Sequence, residues 1–131
     1  MGGSTKRRGK AQSMTTNTYM NQETIPAVSV VIPVYNHEKF VVEALDSVRA
    51  QTRSDWELIV IDDGSTDQSW SVLQEYLHRY RDDRIRLFRQ SNAGSHATLN
   101  KGLMMARAPC VTILNSDDRY APERLQRLLD F

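Results

Sequence analysis

Two short acidic clusters carry most of the chemistry this sequence can offer, Asp62-Asp63-Gly64-Ser65 and Asn115-Ser116-Asp117-Asp118. A carboxylate can accept hydrogen bonds from a ligand or give oxygen to a hard cation. Asn115, Asp117 and Asp118 together make an oxygen-rich set suited to Mg2+ or Mn2+. A cation there would stabilise the charge that grows on a diphosphate leaving group. Asp63 suits a different role. Just past the second strand of a parallel sheet, a carboxylate is placed to accept hydrogen bonds from the base or ribose of a nucleotide. Each cluster by itself also reads as a turn followed by a helix cap, since Asp, Asn, Gly and Ser are the common residues there. Two further clusters, Pro33-Val34-Tyr35-Asn36 and Gln90-Ser91-Asn92-Ala93-Gly94, add amides, turn formers and one aromatic ring for stacking. Neither G-x-G-x-x-G nor G-x-x-x-x-G-K-[ST] occurs, so phosphate bound here needs a metal to hold it.

The elements that position these clusters follow from hydrophobic patterning. Val28-Ser29-Val30-Val31-Ile32, closed by Pro33, reads as a strand buried on both faces, and Trp56-Glu57-Leu58-Ile59-Val60-Ile61 repeats the pattern. Residues 84–89 alternate as a shorter strand, and Cys110-Val111-Thr112-Ile113-Leu114 is a fourth, buried one. Between them, Phe40, Val41, Ala44, Leu45 and Val48 recur at helical spacing, with Asn36 or His37 available as the cap. Trp70, Leu73, Tyr76, Leu77 and Tyr80 mark a second helix, capped by Ser65, Thr66 or Asp67. Ala97, Leu99, Leu103, Met104 and Ala106 stripe a third. Pro122 suits the first turn of a last helix, whose apolar face of Leu125, Leu128 and Leu129 has barely begun at Phe131, so the domain reads as cut short there with that face exposed. The alternation predicts an α/β fold, an open and mostly parallel sheet with flanking helices, with ligands at the carboxyl ends of the strands.

The remaining residues narrow the class. The chain of 131 residues is 40% hydrophobic and 25% charged, ordinary for one globular domain, and its formal net charge of +1 gives no general field for nucleic acid. Lys6, Arg7, Arg8 and Lys10 lie in a polar stretch with little to bury, so residues 1–26 read as a disordered basic leader and residues 27–131 as the folded part. No apolar run is long enough for a membrane span or a secretory signal. Cys110, the single cysteine, reads as a small core residue and suits a reducing, cytoplasmic setting, with peripheral association at the inner face of a membrane left open. His37, His78 and His96 show no metal-ligand spacing and read as surface or partly buried. Trp56 and Trp70 read as core.

Taken together and in order, V-S-V-V-I-P-V-Y-N, A-L-D-S-V-R-A-Q-T, W-E-L-I-V-I-D-D-G-S-T-D, N-A-G-S-H-A-T-L-N-K-G and V-T-I-L-N-S-D-D resemble family 2 glycosyltransferases of the type A, Rossmann-like fold, over residues 28–131. The resemblance implies an inverting transfer of sugar from a nucleotide-diphosphate sugar, a UDP-sugar being favoured. Pro33, Val34 and Tyr35 would then hold the base with Asn36 and Glu38 nearby, and Asp63 would bond it. Asn92, Gly94 and Asn100 would line the pocket, Asp117 would contact ribose or sugar, and Asp118, with Asp117, the divalent metal. Asn115 stands where the family often has an acid. The resemblance also places the general base and the acceptor site beyond Phe131, so this part alone is expected to bind without transferring. The acceptor, whether saccharide, lipid or protein, is not readable. A non-catalytic nucleotide-binding or protein-interaction module of the same fold is the alternative, separable by metal dependence.

Overall fold

Four apolar runs become four parallel strands, β1 (Val28–Val34), β2 (Trp56–Asp62), β3 (Ile85–Arg89) and β4 (Cys110–Ile113), in the spatial order β3-β2-β1-β4. Helices α1 (Val41–Arg49), α2 (Ser69–Tyr80), α3 (Ser95–Met105) and α4 (Arg124–Leu129) connect or follow them. This computed structural model describes residues 24–130, so the leader expected over residues 1–26 lies, up to residue 23, outside the described residues.

Alternation along the strands divides the core in two. Val28, Val30, Ile32 and Val34 of β1 join Trp56, Leu58 and Val60 of β2 on one face, covered by Val41, Ala44, Leu45 and Val48 of α1 and Leu73 and Tyr76 of α2. Val31, Ile59 and Ile61 point to the other face, where Met105 and Ala106 at the end of α3 pack on them. Burial of about 20 Å of β-branched strand on both sides is what makes β1 and β2 the rigid centre.

Several local readings change. β1 runs on through Pro33 to Val34, paired with β2 as far as Asp62, but its ladder with β4 stops at Val31 and Ile113. Proline has no N–H with which to extend that ladder, so β1 and β4 part at the level of Pro33 and leave space between their following loops. β4 is half-buried, not fully buried, because it lies at the sheet edge, and Cys110 is accordingly only partly covered. α3 buries little of its predicted stripe: Ala106 packs on the sheet and Leu99 is half-buried, but Ala97 is exposed. Thr98 and Gly102 face the sheet, while Leu103 and Met104, the latter 86% exposed, face away. Gly102 explains this: a Cβ there would run into the Val31 side chain, so the helix seats on β1 through its glycine. α4 starts at Arg124 instead of Pro122, whose carbonyl is taken by the Thr52 N–H at 2.9 Å. Its face is not exposed as expected, since Leu125 is fully buried and Leu128 and Leu129 pack on the core.

Glu57, in the apolar run of β2, is 1% exposed and still ionised. Ser29 Oγ (2.5 Å), the Arg107 N–H (2.7 Å), Arg107 Nε (3.0 Å) and Arg86 Nη2 (3.0 Å) all donate to its carboxylate. Burial alone pushes this carboxyl up, and those donors outweigh it and hold it below the usual range. The network ties β1, β2, β3 and the segment leading into β4 together at the amino ends of the strands, opposite the site.

Candidate functional site

A sheet of order β3-β2-β1-β4 reverses its winding direction between β1 and β4, the place where open α/β sheets leave a crevice. A cleft of about 460 Å³ opens there, lined by Pro33, Val34 and Tyr35, by Asp63, by Asn92, Gly94, Ser95 and Thr98, and by Asn115, Ser116 and Asp117, with His37 between. Every lining segment lies at or just past the carboxyl end of a strand, Ser95 and Thr98 in the first turn of the helix that follows β3. Eight of the residues singled out in the sequence meet in it: Pro33, Val34, Tyr35, Asp63, Asn92, Gly94, Asn115 and Asp117. Tyr35, one of the lining residues, is 45% exposed.

Asp63 is the best anchored of the acids. Gly64, at φ +72°, turns the chain sharply behind it, and a Cβ on Gly64 would come within 2.7 Å of the Asn92 backbone nitrogen, so the β2 and β3 loops touch through glycine. The Asp63 carboxylate then accepts from Ala93 N–H (2.7 Å), Gln90 Nε2 (2.9 Å), Gly94 N–H (3.0 Å) and Asn92 Nδ2 (3.4 Å). Gln90 Nε2 also donates to Thr98 Oγ1 (3.0 Å), whose hydroxyl donates to the Gly94 carbonyl (2.8 Å). Burial pushes the Asp63 carboxyl up, and the donors from Gln90, Ala93 and Gly94 outweigh it and hold it low, so it is a carboxylate at neutral pH. It therefore orders the turn at the amino end of α3 as well as facing the cleft.

Asn36, Glu38, Asn100 and Asp118 are not among the lining residues. Asn36 adopts φ +55°, which asparagine tolerates, and this turns its side chain toward the β2 loop: Oδ1 accepts from Thr66 N–H (2.8 Å) and Asp67 N–H (3.2 Å) while its own N–H donates to Ser65 Oγ (3.0 Å). Glu38 Oε1 accepts from the Gln68 N–H (3.0 Å) and Asp67 Oδ1 from Ser69 N–H (2.9 Å), but the cap position of α2 is held by Gln68, not by Ser65, Thr66 or Asp67, and its side chain makes no capping bond. α1 has no side-chain cap; the His37 carbonyl accepts from Phe40 and Val41 instead. Asn100, two residues after the inward-facing Thr98, lies roughly 200° round α3 from it and is exposed. Asn115 to Asp118 form a turn closed by Asp118 N–H to the Asn115 carbonyl (3.0 Å), and Asp118 Oδ1 accepts from the Arg119 N–H (2.9 Å).

His37, Ser95, Thr98 and Ser116 are cleft residues to which the sequence reading gave no ligand-facing role. His37 sits two residues from Tyr35 in the β1 loop, and its position past a strand end was the available signal; Thr98 and Ser116 are small polar side chains whose burial is invisible before the loops are assembled. Among the described residues no cluster of three or more His, Cys, Asp or Glu side chains is arranged to enclose a metal, so a cation here would rely on Asp117 and Asp118 with phosphate and water oxygens. No described helix is long and apolar enough to cross a membrane.

An open parallel α/β domain with an acid-lined crevice at its winding switch defines the general class, and comparison with known proteins gives the family. Residues 29–131 match the sequence model of Glycosyl transferase family 2, and the chain belongs to that family. It is 38% identical over 106 residues, 81% of this chain and 30% of the relative, to the uncharacterized glycosyltransferase EpsJ of Bacillus subtilis (strain 168). It is also similar to S. aureus TarS 1-349 in complex with UDP-GlcNAc, with a TM-score of 0.71 and 30% identity, covering 79% of this chain and 30% of that one. The mannosyltransferase PcManGT from Pyrobaculum calidifontis, in complex with GDP-Man and Mn2+, superposes with a TM-score of 0.74 at 27% identity, covering 80% and 32%. The chain thus spans about a third of the length of the relatives it matches.

Proposed function

We propose that this chain is the donor-binding part of a glycosyltransferase that uses a nucleotide-diphosphate sugar. The observation that carries the reading is the cleft itself: in a chain of this family, one crevice at the switch of the sheet holds Asp63 and Asp117 on opposite sides of the β1 loop. Asp63 follows β2 and Asp117 follows β4, strands that flank β1, so the two loops lie roughly 10 Å apart, two strand spacings. A nucleotide laid across the end of β1 has its base toward Asp63 and Tyr35 and its diphosphate toward Asp117. Structural neighbours crystallised with UDP-GlcNAc and with GDP-Man support this class of ligand and leave the base open between uridine and guanosine.

Asp117 and Asp118 would hold a divalent cation. The donor set is oxygen only, and Asp118 keeps Oδ2 clear of any described hydrogen bond, which fits a hard ion that retains phosphate and water ligands. Such an ion supplies neutralisation of charge on the departing diphosphate. The residues of the chain itself bind and orient: Tyr35 gives a face for the base, the Asp63 hub fixes the 92–95 turn beside it, and the Asn115 to Asp118 turn presents its carboxylates. Inversion, and a general base supplied from outside these residues, complete the proposal.

Calorimetric titration with UDP, GDP and dTDP, with Mn2+ and then with chelator, tests it. Metal-dependent binding of one of them that is lost in Asp118→Ala supports the reading. Binding indifferent to metal and to that substitution points to a non-catalytic nucleotide module, and no binding by folded protein refutes the donor site.

A further inference from the structure

We infer that His37 is a phosphate-contacting residue of this cleft, its imidazole Nε2–H donating to a diphosphate oxygen of the bound nucleotide; the inference rests on the donor-site reading above. The charge of the lining makes the need plain. Among the described residues that line the cleft there are two carboxylates, Asp63 and Asp117, and no lysine or arginine, so His37 is the one lining side chain that can carry positive charge or present a ring N–H to an anion. A diphosphate entering such a cleft on a metal alone would meet acid on both sides.

The ring is also held for the purpose. The His37 N–H donates to Ser69 Oγ (3.0 Å) and its carbonyl accepts from Phe40 and Val41 (3.0 Å each), which pins the backbone at the head of α1. Phe40 packs edge-on against the imidazole, centroids 5.9 Å apart and planes at 84°. Nδ1 lies 2.5 Å from Ser116 Oγ, and Ser116 is 2% exposed with that ring nitrogen as the partner of its hydroxyl. The contact alone fits either tautomer, but the buried Ser116 hydroxyl has no other acceptor among the described residues, so donation to Nδ1 satisfies it; the neutral ring then carries its proton on Nε2, an atom with no hydrogen-bond partner among the described residues. Ser116 lies between Asn115 and Asp117, so the ring is fastened to the loop after β4, the end of the cleft to which the donor-site proposal assigns the diphosphate, across β1 from the Asp63 loop.

The test compares a nucleoside with its diphosphate. Whichever of UDP, GDP and dTDP binds tightest is titrated beside its own nucleoside into the 15N-labelled chain with Mg2+, followed by two-dimensional NMR, which reads millimolar affinities, for wild type, His37→Ala, His37→Gln and Ser116→Ala. His37→Ala is expected to weaken the diphosphate roughly tenfold or more, the scale of one hydrogen bond to a charged group, while leaving the nucleoside unchanged. His37→Gln, which keeps an N–H donor, recovers most of the loss, and Ser116→Ala, which frees the ring to turn, falls between. Equal weakening of nucleoside and diphosphate means that His37 only staples two loops and overturns the assignment, as does a diphosphate affinity unchanged in His37→Ala. Wild-type protein that binds no diphosphate refutes the donor reading, and this assignment with it.

Discussion

Replacing Asp63 by asparagine tests its observed role as hub of the 90–94 turn apart from the ligand contact proposed for it. The change keeps the shape and one acceptor oxygen but sets an NH2 group where Ala93 and Gly94 present N–H donors, at 2.7 and 3.0 Å, to a carboxylate. One of those donors loses its partner, which costs about 1 to 3 kcal/mol, and the other keeps a neutral bond weaker by about 1 kcal/mol. Ala93 and Gly94 are exposed, so water recovers part of the loss, and the sum falls near about 2 kcal/mol. For a domain of this size that lowers Tm by roughly 10 °C. Urea denaturation of both proteins from neutral to acid pH measures it. Because the folded carboxyl of Asp63 is held below its unfolded value of 3.8, its stabilisation is complete above that pH and is lost as pH falls through the lower, folded value. The gap between wild type and Asp63→Asn should therefore be full at neutral pH and close in strong acid. Equal stability at neutral pH, or a gap that does not change with pH, refutes the hub.

Gly64→Ala forces an L side chain to φ +72° and a Cβ into the Asn92 backbone, so it should cost at least about 1 to 2 kcal/mol for the backbone alone and loosen the 92–95 turn, seen as raised amide exchange there. Glu57→Gln breaks a buried charge network and should cost about 3 kcal/mol in chemical denaturation, the low end for such pairs because the Arg107 side chain is 59% exposed and can swing into water. Gly102→Ala gains helix propensity of about 1 kcal/mol but overpacks Val31 by about 1 to 3 kcal/mol, so it should destabilise, and Val31→Ala should rescue it in a double-mutant cycle.

The sheet was legible because its strands announce themselves: β-branched apolar runs with turn residues at each end leave little choice of element, and their alternation with helices leaves little choice of topology. The places where reading failed share a cause. The predicted apolar stripe of α3 misleads because Gly102 lets the helix approach Val31 more closely than a side chain would permit, and close backbone approach has no hydrophobic signature. Half-burial of β4 could not be foreseen from an apolar run, because an edge strand and a central one look alike until the order β3-β2-β1-β4 is known.

The polar residues past the strand ends were legible as a set and not as individuals. Whether such a side chain faces the ligand or a neighbouring loop is decided by one or two backbone angles. Asn36 at φ +55° points into the 65–67 turn, and Glu38 follows it to the head of α2, while His37 between them points into the cleft. Three consecutive polar residues thus divide between scaffold and site. The loops at the carboxyl ends of β1 and β2 are locked to one another by Asn36, Ser65 and Asp67, those of β2 and β3 by Asp63, Gln90 and Asn92, and those of β1 and β4 by His37 and Ser116. A cleft whose four walls are cross-linked in pairs is shaped before any ligand arrives, so less ordering cost is charged against binding. It follows that Asn36→Ala, which removes no cleft-lining side chain, should still weaken nucleotide binding by releasing the 65–67 turn, and should do so with a matching loss of amide protection in that turn; weakened binding with the turn still protected would mean that Asn36 reaches the ligand directly.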